Sequence, residues 1–282
     1  MMCLTPFTIK NPKLRRKPED LYINVPCGKC TACLKRRASQ WVFRLKQEER
    51  IAHTAVFMTY TYNEMTVPNT LNGFLTLDRS HHSLYMKRLR KQLNKEKRLD
   101  QKHPLKYYMV GEYGSKTERP HYHSIMFNLP QFYIDNEHKI KNLWGLGNIQ
   151  IDNCTPASMA YVTKYVNKQT FFNNQGPHDD RVPEFSFMSK GLGKNYLTEQ
   201  QIKSHKEKLN PYITTEDGQK LAFPRYFKDK IFDDREKDKL QKAALEHILE
   251  NPIFAADIDK QNFIKNEATK RQRESKLKRG NI

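Results

Sequence analysis

Apolar positions along this chain change their period repeatedly, and each change marks an element. From Leu34 to Ala52 they recur at helical spacing, with Trp41, Val42 and Leu45 on one side of a basic stretch, which predicts an amphipathic helix. Thr54 to Tyr62 reads as a strand and Ser80 to Lys97 as a second helix. Residues 105–113 are rich in aromatic and branched side chains and are closed by Gly114, and 120–128 form a second such run. The polar segment Gly114 to Arg119 between them predicts a turn, so the two runs pair as an antiparallel hairpin. A helix near 135–143 and a short strand at Gly147 to Ile151 follow. Thr155-Pro156 then opens another helix, with Thr as the capping residue and Pro at the first helical position. This order predicts an α+β fold, an antiparallel β-sheet with helices packed on one face, extended by a helical C-terminal segment. The expected organisation is an N-terminal cysteine-bearing segment over 1–40, a main domain over 41–232 and a charged helical tail over 233–282.

Charge narrows the partners. Fifty Lys and Arg against thirty-one Asp and Glu leave a formal net charge of +19, which favours a polyanion and predicts salt-dependent binding. The excess is clustered at Lys13 to Lys17, Lys35 to Arg37, Met86 to Arg98 and Lys270 to Arg279, while interleaved tyrosines and phenylalanines suit stacking on unpaired bases. No run of about 18 apolar residues is present, so no membrane span is expected, and the N-terminus lacks an apolar signal core. Five cysteines without a secretion signal fit a reducing cytoplasm.

Three groups of residues carry candidate chemistry. In the run Arg119 to Phe127, His121 and His123 flank Tyr122, and strand alternation puts both imidazoles on one face with Tyr122 on the other. Glu112, near the turn end of the preceding strand, is the expected third partner; Glu118 and Asp152 are the alternatives. Two imidazoles and a carboxylate with open positions suit Mg²⁺ or Mn²⁺ acting as a Lewis acid on phosphate. Tyr161 and Tyr165 lie four apart on one helix, beside the four-apart pair Lys164 and Lys168, so their phenols can face a basic cleft while the neighbouring valines face the core. A lysine stabilises phenolate, and a metal-polarised phosphodiester needs a weaker nucleophile. Lastly, Cys27, Cys30 and Cys33 stand at metal-binding spacing, and Cys3 can return to complete a tetrahedral structural Zn²⁺ site. Cys154 reads as a lone buried thiol or a loop residue.

These motifs resemble a family. Arg119 to Phe127 is similar to the His-hydrophobic-His motif of rolling-circle replication initiators, and Tyr161 to Lys168 to the two-tyrosine motif of their phage branch. Phe57 to Tyr62 looks like the strand bearing the family's first motif, and with Gly111 to Gly114 the order matches the initiators of small circular single-stranded DNA phages, the Microviridae, most closely the gokushovirus type. The resemblance implies an HUH endonuclease fold with the histidines on a central strand, and an enzyme that nicks and rejoins DNA at an origin through a covalent 5′-phosphotyrosine. It implies His121, His123 and Glu112 as ligands of Mg²⁺ or Mn²⁺, Tyr161 and Tyr165 as alternating nucleophiles and Lys164 as their electrostatic helper. Arg119, Lys116 and Lys168 are expected to grip DNA, by proximity. Origin DNA, a host helicase and a host polymerase are the implied partners, in the host bacterial cytoplasm, without a membrane and without a nucleotide cofactor for joining. Two rival readings are a single-tyrosine relaxase or transposase and a non-catalytic, zinc-containing nucleic-acid-binding protein.

Overall fold

The computed structural model describes residues 3–10, 22–164, 178–210 and 212–249. Their elements are β1 (Phe7–Lys10), β2 (Tyr22–Val25), α1 (Thr31–Glu49), β3 (Ala55–Tyr62), α2 (Arg79–Lys95), β4 (Lys106–Tyr113), β5 (Pro120–Phe127), α3 (Gln131–Ile134), α4 (Glu137–Trp144), β6 (Gly147–Asn153), α5 (Pro156–Lys164), β7 (Phe185–Met188), α6 (Glu199–Lys208), β8 (Tyr212–Thr214), β9 (Lys220–Ala222), α7 (Arg225–Ile231) and α8 (Asp234–Leu249).

The chain divides into two compact units, Ala38–Thr198 and a second built from Met1–Arg37 with Glu199–Ile282. Residues 199–232, expected in the main domain, thus group with the N-terminal segment. The reason is local: among those residues, Phe223, Phe227, Ile231 and Phe232 are buried in a small cluster of their own, with His205 edge-on to Phe223 at 4.8 Å and Phe223 against Phe232 at 5.6 Å.

The Ala38–Thr198 unit is an α+β layer structure, as expected from the order of elements. Its sheet has the strand order β6-β3-β5-β4-β7, every pair antiparallel, with β5 in the centre. The predicted hairpin is β4–β5, in the register Glu112↔His121 and Val110↔His123. Alternation then sorts the side chains. One face carries Met58, Tyr60, Met109, Tyr122 and Met126, covered by α2 and α4 through Tyr85, Leu89 and Trp144. The other face carries Tyr108, Val110, Ile125 and Phe127, covered by Met159 and Val162 of α5 and by Leu45 of α1. Helices therefore lie on both faces, because β4 and β5 are apolar on both sides and each side needs a cover. The second face is apolar only along part of its length. Toward the β4–β5 turn its positions become Glu112, His121 and His123, and there α5 presents Tyr161.

Helix α5 begins where Thr155-Pro156 predicted: the Thr155 hydroxyl accepts from the Ser158 amide at 3.1 Å, capping the first turn. Cys154 sits in the β6–α5 loop, where burial pushes its thiol up to about 12, so it is inert at neutral pH.

Candidate metal and nucleophile site

The hairpin register makes Glu112 the immediate cross-strand neighbour of His121 and the diagonal neighbour of His123. All three side chains converge. Glu112 Oε1 lies 2.9 Å from His121 Nε2 and 3.1 Å from His123 Nε2, and the Tyr161 hydroxyl donates to the same oxygen at 2.7 Å. Glu112 is 2% exposed and His123 8%, whereas Tyr161 is 38% exposed at the rim. The other carboxylate oxygen, Oε2, is buried without a hydrogen-bond partner among the described residues.

Each imidazole is oriented from behind. His121 Nδ1 stands 3.0 Å from the Arg119 carbonyl, which can only accept, so Nδ1 carries a proton. Its Nε2 then faces a carboxylate either as a second N–H, in an imidazolium, or as a lone pair toward a cation. His123 Nδ1 lies 3.0 Å from the Thr59 hydroxyl, and its ring stacks on Phe57 at a centroid distance of 5.1 Å and an interplanar angle of 13°. The Tyr161 ring meets His123 edge-on at 5.2 Å.

Electrostatics follow from this crowding. Burial pushes the Glu112 carboxyl up, but hydrogen bonds from His121, His123 and Tyr161 outweigh it and bring the group down to about 2. Burial lowers the His121 imidazole, but the bond to Glu112, the Arg119 carbonyl and the carboxylate charge more than reverse this and raise it. Three donors on one oxygen and none on the other describe a pocket of negative charge whose donors a divalent cation can replace. The residues fit such an ion: two imidazole nitrogens with their far sides anchored, and a carboxylate with an idle oxygen. Calcium would want more oxygen ligands, and structural zinc a closed set of four.

Other expected residues fall into different settings. Glu118 pairs with Arg181 at 2.7 Å, and Asp152 is exposed on β6 and accepts from Gln150 at 3.1 Å, so neither approaches the imidazoles as the third partner. Arg119 is tied down, donating to Glu64 at 2.8 Å and to the Tyr62 carbonyl at 3.0 Å. Lys116 is exposed in the β4–β5 turn, and Lys164 is exposed at the end of α5. Tyr165 and Lys168 lie outside the described residues, as do the basic runs 13–17 and 270–279. Thr59 and Phe57 were not singled out individually from the sequence. The signal for them was the alternation of β3, which places both on the face of the histidines.

An antiparallel sheet with a His-X-His pair on its central strand, a carboxylate on the adjoining strand and a tyrosine-bearing helix over them defines the class of the rolling-circle initiators. Comparison agrees. Residues 55–170 match the family model of the replication-associated proteins of ORF2 type. The chain is 28% identical to Replication-associated protein VP4 of Bdellovibrio phage phiMH2K, over 72% of this chain and 66% of that protein. It is 28% identical to Replication-associated protein ORF2 of Spiroplasma virus 4, over 83% of this chain and 78% of that protein. It is 27% identical to Replication-associated protein ORF4 of Chlamydia phage 1, over 73% of this chain and 53% of that protein. The resemblance read from the motifs is thereby borne out: the chain is a relative of the phage replication-associated proteins. Among solved structures it matches the N-terminal nuclease domain of minute virus of mice non-structural protein 1, at 12% identity over 71% of this chain and 96% of that one, with a TM-score of 0.24, a superposition too loose to bear on the chemistry. Among the described residues no helix is long and apolar enough to cross a membrane.

Proposed function

We propose that the chain is a replication initiator that nicks and rejoins DNA through a tyrosine nucleophile at a divalent-metal site. The observation that carries this reading is the sharing of Glu112 Oε1 by the Tyr161 hydroxyl and both imidazoles, which puts a nucleophile beside three metal-ligand groups. His121, His123 and Glu112 would hold the ion, Mg²⁺ or Mn²⁺, which when bound supplies Lewis-acid polarisation of a phosphodiester oxygen.

The residues themselves do the rest. Phe57 and Thr59 hold the His123 ring in one orientation, and the Arg119 carbonyl does so for His121. Tyr161 is partly exposed with its hydroxyl directed into the site, so an incoming single strand reaches it without rearrangement of α5. Its phenol oxygen forms a bond to phosphorus as the bond to the 3′ oxygen breaks; the phenol proton is released and the 3′ oxygen takes up a proton. The product is a 5′-phosphotyrosine and a free 3′ hydroxyl, and the reverse reaction with another 3′ hydroxyl rejoins the strand. Tyr165, four positions on, is the partner nucleophile in this reading, and Lys164 the nearby cation. The net charge of +19 supplies sequence-independent attraction to the phosphates.

The test uses single-stranded oligonucleotides tiling the genome that encodes the chain, with Mn²⁺ or Mg²⁺, and denaturing gels to detect a protein–DNA adduct. One oligonucleotide should give an adduct that a Tyr161→Phe, Tyr165→Phe double variant does not form. An adduct from the double variant removes the tyrosines from the chemistry. Full adduct formation by Tyr165→Phe combined with complete rejoining would favour a single-tyrosine enzyme, and binding without any adduct a non-catalytic protein.

A further inference from the structure

The unit built from Met1–Arg37 and Glu199–Ile282 contains a second cluster, made only of thiols. Cys3, Cys27, Cys30 and Cys33 each place Sγ within 4.8 Å of the other three. We propose that these four cysteines bind one zinc ion as a structural tetrathiolate site. It is independent of the nicking chemistry proposed above.

Distances favour a metal over disulfides. A Zn–S bond of about 2.3 Å puts the corners of a regular tetrahedron about 3.8 Å apart. Cys3 Sγ and Cys30 Sγ are 3.8 Å apart, far beyond the S–S bond of about 2.05 Å, and all four thiols are free.

The surroundings are those of thiolates rather than thiols. Cys27 Sγ receives the amides of Lys29 and Cys30 at 3.4 and 3.3 Å and the Thr5 hydroxyl at 3.3 Å. Cys3 Sγ receives the Cys27 amide at 3.2 Å, and Cys30 Sγ the Leu4 amide at 3.4 Å. Gly28, at φ +72°, adopts the left-handed turn that aims those two successive amides at Cys27. Arg36 Nη2 is 3.9 Å from Cys33 Sγ, and Cys30 and Cys33 flank the first turn of α1, where the helix end is positive. Zinc with four thiolates carries a net charge of −2, and these donors face that charge. Binding converts four thiols to thiolates and releases four protons to the buffer.

The local fold explains why a metal is needed. Hairpin β1–β2 has four-residue strands, and every residue of β1 is exposed, so no apolar face holds it in place. A two-stranded hairpin alone is marginal in water. The one buried cluster at this end, among the described residues, consists of Cys30, Ala32 and Cys33 with Cys3, Leu4 and Cys27 packed against them. The cysteines bracket the hairpin from both sides, Cys3 before β1 and Cys27 after β2, so an ion shared among them closes that loop onto the start of α1.

The test is metal analysis of protein purified without chelator, as the wild type, as a His121→Ala, His123→Ala variant and as a Cys27→Ser, Cys30→Ser variant. The histidine variant should retain one equivalent of zinc and the cysteine variant should lose it. Because the cysteine variant can fail to fold, the histidine variant is also reconstituted with Co²⁺, which should give thiolate charge-transfer absorption and the visible bands of a tetrahedral site, and titrated with a mercurial, which should release one zinc. Absence of zinc from the histidine variant, iron in its place, a cobalt spectrum lacking the charge-transfer band, or disulfides in the denatured chain each overturn the proposal.

Discussion

The Tyr161 hydroxyl donates to Glu112 Oε1 at 2.7 Å, across forty-nine positions of sequence, and that oxygen is the one both imidazoles contact. The phenol and the ligand set thus share one atom. Whatever occupies the space between the imidazoles and Glu112 changes the partner of Tyr161.

Replacing Glu112 with Gln keeps the volume and an acceptor for Tyr161 but removes the negative charge. Loss of a charged ligand removes several kcal/mol of transition-state stabilisation, so adduct formation in Mg²⁺ or Mn²⁺ should fall on the order of 10²- to 10³-fold while the melting temperature of the metal-free protein changes little. Single-turnover adduct assays and calorimetry together measure this. An unchanged adduct rate would remove Glu112 from the site.

Thr59→Val preserves shape and deletes the hydroxyl that holds His123 Nδ1. Losing a partner behind a metal-ligating imidazole typically costs roughly 10- to 100-fold in metal affinity. A Mn²⁺ titration followed by electron paramagnetic resonance should show that loss, and a much smaller one for Thr61→Val, whose hydroxyl instead reaches the Asn148 carbonyl at 3.4 Å.

His82 gives the sheet unit a built-in acid sensitivity. It is fully buried among the rings of Tyr60, Tyr85 and Tyr107, neither nitrogen has a partner among the described residues, and burial, helped by Arg90, pushes its pKa down to about 3. Unfolded chains bind this proton below about pH 6.5 and the folded one does not, so the contribution is present above that pH and is lost as pH falls toward 3. The slope is about 1.4 kcal/mol per pH unit. Urea midpoints measured from about pH 7 to 4.5 should fall more steeply for the wild type than for His82→Phe; parallel curves would contradict the assignment.

Gly193 holds the segment after β7 against α1. At φ +71° it is left-handed, and an added Cβ would lie 2.7 Å from the Arg44 carbonyl oxygen, while its amide donates to Glu48 Oε2 at 2.8 Å. Gly193→Ala should therefore cost at least about 2 kcal/mol, the left-handed penalty plus a backbone collision. Thermal melting should drop by roughly 4–8 °C. Gly218→Ala, left-handed but in open space, should cost less.

Much of this was legible in the chain because it depends on near neighbours. Alternation alone put His121 and His123 on one face and Tyr122 on the other, and the polar turn at 114–119 fixed the hairpin partner, so Glu112 came within reach of the imidazoles by register. Thr155-Pro156 announced α5 at its first residue. The division of the chain was less legible, because the aromatic cluster around Phe223 and Phe227 gives no local sign of which unit it joins. The second cover of the sheet was missed for a related reason: a strand apolar on both faces reads as a continuous run, and the run does not say which helices supply the lids.

The sequence by itself determined the identity of the reactive groups, their pairing on strands and helices, and the positive charge, since each follows from periods of two and 3.6 residues and from composition. Only the tertiary structure decided that Tyr161 meets Glu112, that Thr59 and Phe57 stand behind His123, and that Cys3 joins three thiols more than twenty positions away. Those contacts depend on which helix packs over which end of a sheet face and on where a loop closes, and burial of whole faces sets both, not any local pattern.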